Sequence, residues 1–182
     1  MNPSLIEKAV RIATQAHQGQ KRKDGPPYII HPYMCALKLF QNKFSDVAIA
    51  AALVHDVLED TSYTEEQLRT ELGEEICSIV RNVTYDKSLS WEEQRMKYID
   101  AVRQSSEAVR AVSIVDKIHN AESLLIAYAQ EGPAIWKRFN KGKAKKIWFE
   151  KALLHMFKET WKHPLVDEYA ELVEQLEMLE EI

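Results

Sequence analysis

Apolar positions along this chain recur three and four residues apart, and strict alternation is nearly absent, so the pattern predicts helices throughout. Leu5, Ile6, Ala9, Val10, Ile12, Ala13 and Ala16 mark the face of a first helix. It ends at "HQGQKRKDGPP", a loop by its Gly and Pro content. His31-Pro32 opens a second helix to about Phe40, with Pro at the first helical position. "SDVAIAAALVHDVLED" reads as one third helix, apolar nearly all round and therefore central. Thr64 with Gln67 has capping-box spacing and opens a short fourth helix that Gly73 stops; a fifth runs to about Val83. After the loop "VTYDKSLS", Ser90 and Glu93 form a second capping box before a helix to about Arg103. "EAVRAVSIVDKIHNAESLLIAYA" is one long helix, broken at Gly132-Pro133. "KGKAKKIWFEKALLHMFKETWK" is another, and beyond His163-Pro164 a last helix carries the stripe Leu165, Tyr169, Leu172, Val173, Leu176 and Leu179. The expected fold class is all-α. We expect one domain over residues 1–182, with a core to about 130 and a C-terminal layer of helices at about 131–182.

Composition narrows the class. Apolar residues make up 46% and charged residues 29%, as in an ordinary globular protein. The net charge of −4, with no long basic stripe, argues against a general nucleic-acid binder. Cys35 and Cys77 lie in no CxxC pattern and are expected to be buried free thiols, which suits a reducing cytoplasm. The start "MNPSLIEKAVRIA" does not read as a signal peptide, and no apolar run approaches the roughly 18 residues of a membrane span. The expected setting is cytoplasmic, without a membrane or nucleic-acid partner.

The stretch "ALVHDVLEDT" changes the picture. His55, Asp56, Glu59 and Asp60 stand inside an apolar run, where unpaired charge is costly and such groups are normally paired or metal-bound. On a helix of about 100° per residue all four project from one side. An imidazole next to a carboxylate suits Mn²⁺, Fe²⁺ or Zn²⁺ better than Ca²⁺. Two ligands rarely suffice, and His31 and Asp116 are the candidates for the others. Taken alone, a His before Pro reads as a cap or turn residue and a mid-helix Asp before Lys as solvated. Beside the His-Asp pair, a bundle in which three helices offer His, His-Asp and Asp is the better account.

In this order "ATQAHQGQKRKDGPPYIIHP", "AALVHDVLEDT", "EEICSIVRNVT" and "VDKIHNAESL" resemble the hydrolase domain of RelA/SpoT-type alarmone enzymes, a branch of the HD metal-dependent phosphohydrolases. The small stand-alone alarmone hydrolases are similar in size. The resemblance covers roughly residues 5 to 125 and implies an HD-domain helical bundle. It implies that His31, His55, Asp56 and Asp116 bind the metal, usually Mn²⁺, with another divalent transition metal as the alternative. Glu59 and Asp60 match the acidic pair that orients or activates water. Arg22 and Lys23 match loop residues that contact the nucleotide, and Asn120 matches an asparagine that faces it. The implied reaction takes guanosine tetra- or pentaphosphate to GDP or GTP and pyrophosphate. The implied partner is therefore a small-molecule nucleotide.

The departures from the family touch substrate choice more than the metal. Ser113 stands where a lysine is often found, Lys117 where arginine is common, and Asp24 at a position often small or polar. "YDKSLSWEEQRMKYI" aligns weakly, and the chain beyond about residue 130 does not track the long bifunctional enzymes, so degradation alone is expected. Two other readings stand beside this one: an HD phosphohydrolase for another nucleotide, such as the 2′-phosphate of NADPH, and a non-catalytic alarmone-binding module. The full ligand set with Glu59 and Asp60 argues against the module. His17 reads as a structural loop residue, His119 as a candidate neighbour of the ligands, and His155 and His163 as surface residues. Trp136, Phe139, Trp148 and Phe149 read as core. The basic run Lys137, Arg138, Lys141, Lys143, Lys145 and Lys146 reads as a solvated face.

Overall fold

The structure is a computed structural model that describes residues 2–22 and 25–181. Among them there is no strand, and an isolated bridge between Lys21 and Pro27 closes the loop after the first helix. The helices are α1 (Pro3–Ala16), α2 (Ile30–Gln41), α3 (Asp46–Val54), α4 (Val57–Asp60), α5 (Glu65–Leu72), α6 (Glu74–Asn82), α7 (Trp91–Gln104), α8 (Glu107–Glu131), a 3₁₀ helix (Gly132–Arg138), α9 (Gly142–Thr160) and α10 (Pro164–Met178). Both expected capping boxes form, Thr64 with Gln67 and Ser90 with Glu93. Gly73 joins α5 to α6 at φ 87°, ψ 166°, a backbone region that is nearly glycine-only and costs other residues about 1–3 kcal/mol.

The chain divides into two compact units, one ending at Asp116 and the other beginning at Lys117. The boundary falls inside α8. No change of composition marks it, because the apolar stripe runs on through Ile114, Val115, Ile118 and Ala121, all buried.

In the first unit α3 is the central helix. Every residue from Ala48 to Val54 is buried, and α1, α2 and α6 pack against it. Ala50, Ala51 and Ala52 keep the helix thin, so three neighbours can approach it at once. Ser45 caps its start by accepting from the Ala48 amide at 3.3 Å. The third helix does not run on to residue 60 as expected. It stops at Val54, turns at His55 and Asp56, and resumes as α4. Asp56 lies at φ −95°, ψ −5°, and its carbonyl accepts from the amides of both Glu59 (3.2 Å) and Asp60 (2.9 Å), a tightened turn. Val57 stays buried across this break, so the apolar periodicity continues and hides it. Thr61 ends α4 by donating its hydroxyl to the Val57 carbonyl at 2.6 Å.

In the second unit Ala121, Leu124, Ala127, Ile135, Trp136, Ile147 and Leu176 form the core, with Phe139, Leu172 and Leu179 packed against it. Phe149 is buried too, but Trp148 is not: it lies on the solvent side of α9, with the Lys145 ammonium 5.9 Å from its ring centroid. The basic run is less free than it reads. Arg138 pairs with Glu131, Lys146 pairs with the wholly buried Glu150, and Lys143 donates to the carbonyls of Glu177 and Leu179 at the end of α10. His163 caps α10, its Nδ1 accepting from the Leu165 amide at 3.2 Å, and His155 is exposed beside Glu159. No helix among the described residues is long and apolar enough to cross a membrane.

Candidate metal centre and acidic pair

Three separate stretches bring four side chains together inside the first unit. His31 comes from the first turn of α2, His55 and Asp56 from the turn between α3 and α4, and Asp116 from α8. His31 Nε2 is 3.2 Å from Asp116 Oδ1 and 3.6 Å from Asp56 Oδ2. His55 Nε2 is 3.2 Å from Asp56 Oδ2 and 3.8 Å from Asp116 Oδ1. His55 and Asp56 are neighbours in the turn after Val54, both in right-handed helical backbone, and their side chains converge on the same cluster. His31, His55 and Asp116 are buried, and Asp56 nearly so.

The back of each imidazole is held as well. His55 Nδ1 lies 2.8 Å from the Ala52 carbonyl oxygen. In the neutral ring Nδ1–H donates to that oxygen and leaves the Nε2 lone pair turned toward the two carboxylates, the usual way a protein sets a metal-binding tautomer. His55 Nε2 is buried and makes no well-aligned hydrogen bond, although the Asp56 carboxylate lies 3.2 Å away. Cys35, one helical turn after His31, places its Sγ 3.8 Å from His31 Nδ1 and donates to the Val115 carbonyl at 3.6 Å. The ligand atoms of His31, Cys35 and His55 lie within 4.8 Å of one another. Both cysteines are buried free thiols.

The electrostatics are those of a site short of positive charge. Burial pushes the His31 imidazole below its ordinary value, against the pull of Asp116 and Asp56. At His55 burial acts in the same sense, but the Asp56 and Asp116 carboxylates outweigh it and hold the ring well above. Burial would raise Asp56, yet His55 beside it holds the carboxyl below the usual range. A divalent cation would answer both carboxylates. Two imidazole nitrogens and two hard oxygens fit such an ion.

The acidic pair is anchored in two directions. Glu59 Oε2 accepts from the Tyr85 amide at 3.2 Å, and its carbonyl from Lys87 Nζ, so it leans on the loop after α6. Asp60 faces the loop after α1: its carbonyl accepts from Gln20 Nε2 at 2.7 Å, and its Oδ2 from the Tyr28 hydroxyl at 3.0 Å. The same hydroxyl reaches Asp56 Oδ2 at 2.6 Å, so its one proton is shared between the two carboxylates, with the closer contact to Asp56. Burial first, then the Asp56 carboxylate, pushes the Tyr28 phenol far above its ordinary value, so it stays protonated. Tyr28 was not among the residues singled out in the sequence. Its only signal is its place in "PPYIIHP", three residues before His31.

Of the other expected residues, Arg22 lies with its guanidinium 6.0 Å from the Tyr28 ring centroid. Lys23, the other loop cation, lies outside the described residues. Asn120 is on α8 in the second unit, four residues past Asp116. His17 is a loop residue, buried, with Nδ1 2.8 Å from Gln20 Oε1 and its ring stacked on Tyr28. Ser113, where the resemblance leads one to expect a lysine, is buried and 2.7 Å from the Tyr98 hydroxyl.

Comparison with known proteins places the chain in a family. A family model described as the HD domain matches residues 9–148. A guanosine-3′,5′-bis(diphosphate) 3′-pyrophosphohydrolase of Aquifex aeolicus is 36% identical over 124 residues, 66% of this chain. The chain spans only 18% of that relative's length, and about as little of the other long relatives it first matches. The Danio rerio enzyme of the same name, MESH1, is 35% identical over 125 residues, 66% of this chain and 69% of the relative. A solved structure described as a metazoan ortholog of SpoT that hydrolyses ppGpp superposes with a TM-score of 0.81 at 24% identity, covering 97% of both chains; it supports the all-α fold. With the His55-Asp56 pair at the centre of the buried cluster and the family model spanning most of the sequence, the chain belongs to the HD-domain family.

Proposed function

We propose that this protein is a metal-dependent phosphohydrolase that removes pyrophosphate from the 3′ position of guanosine tetra- or pentaphosphate. The observation that carries this reading is the buried meeting of His31, His55, Asp56 and Asp116, two imidazole nitrogens facing two carboxylate oxygens. These four would hold the ion, for which Mn²⁺ is our choice on the mixture of nitrogen and hard oxygen donors. When bound, a divalent ion supplies a water of lowered pKa and neutralises phosphoryl charge. The relatives named above are pyrophosphohydrolases of this substrate, which supports the same reaction here.

The chain's own groups supply the rest. Water's oxygen bonds to the phosphorus attached to O3′, the P–O3′ bond breaks, and the ribose oxygen takes a proton as pyrophosphate leaves. Glu59 and Asp60 handle that water's proton; Asp60 is the exposed member, as a group that exchanges protons with solvent should be. Arg22 holds the base by its flat cation, and Lys23, next in the sequence, adds a second positive charge toward the nucleotide. We infer a single functional domain acting in the cytoplasm on a small nucleotide, without a nucleic-acid or membrane partner.

The test is the purified protein loaded with Mn²⁺ and offered guanosine tetraphosphate, guanosine pentaphosphate and NADPH, with products separated chromatographically. Pyrophosphate with GDP or GTP is the expected outcome. Phosphate release from NADPH alone would overturn the substrate assignment, and no turnover of any of the three would overturn the hydrolase reading.

A further inference from the structure

Tyr28 touches both halves of the site with one atom. Its hydroxyl lies 2.6 Å from Asp56 Oδ2 and 3.0 Å from Asp60 Oδ2. That Asp56 oxygen is the one facing both imidazoles, 3.2 Å from His55 Nε2 and 3.6 Å from His31 Nε2. A carboxylate is broad in its terminal torsion, so two imidazoles on one side do not fix its plane. A donor on the other side does. Asp60 is exposed, and the phenol holds its Oδ2 while Lys87 Nζ lies 4.0 Å from its Oδ1.

The tyrosine is in turn built in, not resting there. Its ring stacks on His17 at a centroid distance of 4.7 Å and an interplanar angle of 26°, and meets the His31 ring edge-on at 6.0 Å. Its amide donates to the Gln20 carbonyl at 3.0 Å. The Gln20 side chain links His17 Nδ1 (2.8 Å) to the Asp60 carbonyl (2.7 Å), so both ends of Asp60 are tied to the same loop. The Arg22 guanidinium lies over the ring as well. All of these residues belong to the first unit.

We propose that Tyr28 is a positioning residue with two duties: its hydroxyl fixes the Asp56 and Asp60 carboxylates relative to each other, and its ring is the platform for Arg22. The proposal rests on the metal-hydrolase reading, with Asp56 as a ligand and Asp60 in the acidic pair. A tyrosine that merely fills space would give up stability, not metal affinity or kcat, when its hydroxyl is removed. The two duties separate in two variants. Tyr28→Phe keeps the ring and loses the hydroxyl; Tyr28→Leu loses both.

The experiment uses the whole protein, stripped of metal and titrated calorimetrically with Mn²⁺ alone, then assayed at saturating Mn²⁺ on whichever nucleotide of the panel it turns over. Melting of the metal-free variants by circular dichroism checks that they fold. Tyr28→Phe should bind Mn²⁺ about 10- to 100-fold more weakly and lose a similar factor in kcat, the usual range for groups that orient metal ligands, with KM within about twofold of wild type. Tyr28→Leu should add a rise in KM of about 2- to 30-fold, the loss of a cation–π platform. A Tyr28→Phe protein that binds Mn²⁺ as tightly as wild type, or keeps its kcat when saturated, would overturn the proposal. If wild type binds Mn²⁺ but leaves guanosine tetraphosphate intact, the substrate assignment fails, while the Mn²⁺ affinity of Tyr28→Phe still decides whether the phenol holds Asp56. A wild-type protein that binds no Mn²⁺ overturns both.

Discussion

Asp56 and Asp60 are four residues apart and carry the same carboxylate, yet their surroundings give them different work. Asp56 is nearly buried between two imidazoles, and Asp60 is exposed under a phenol. Substitutions should separate them. Asp56→Ala and His55→Ala each remove a proposed ligand, and each should lose stoichiometric Mn²⁺ and at least about 10³-fold in turnover, some 4 kcal/mol of transition-state stabilisation. Elemental analysis of the purified variants checks it; a full equivalent of metal in both would leave the centre without its basis. Glu59→Gln and Asp60→Asn should keep the metal while kcat falls at least about 10²-fold, the lower range for general acid–base catalysis. Near-normal kcat with bound metal would move the proton to another group. The four ligand candidates and the acidic pair could be read from residue types and motif order. Tyr28 could not, because nothing in a tyrosine's spacing reveals that its hydroxyl reaches two carboxylates 28 and 32 residues away.

At the scale of the helix, the informative element is the break between α3 and α4. Its apolar pattern is that of a continuous helix, and only the Asp56 carbonyl, shared by two amides, shows the turn. Capping boxes and the Gly73 stop were visible because they rest on neighbours in sequence, where local hydrogen bonding decides the outcome. The pairing of α9 with α10 is less local. Glu150 is wholly buried on α9 and is held by Lys146 from its own helix and by the Tyr169 hydroxyl from α10. Lys146→Met should strand the carboxylate and destabilise the protein by about 3–5 kcal/mol. Tyr169→Phe, which removes one hydrogen bond to it, should cost about 1–3 kcal/mol. Urea unfolding measures both; equal and small effects would mean that water reaches Glu150 and replaces its partners.

At the scale of the whole molecule, the proposed ligands come from three stretches of one compact unit, so a bound ion should stabilise the native state and not the unfolded chain. Mn²⁺ at about 100 times its dissociation constant should add about 2.7 kcal/mol, seen as a higher melting temperature that a chelator reverses. An unchanged melting temperature on adding Mn²⁺ to metal-stripped protein would count against a preformed centre. The sequence by itself determined the helices, their caps, the central place of α3 and which side chains could carry chemistry, since these follow from periodicity and from contacts within a few residues. It also pointed to the family, through motifs in a fixed order. Only the tertiary structure decided which of those side chains meet. His31 and Asp116 are 85 residues apart in the chain and 3.2 Å apart in space, and Tyr28, Cys35 and the buried Ser113 acquire their roles from neighbours that local pattern does not specify. The division of the chain inside α8 belongs to the same class: one helix with one apolar stripe serves two units, and packing alone draws the line between them.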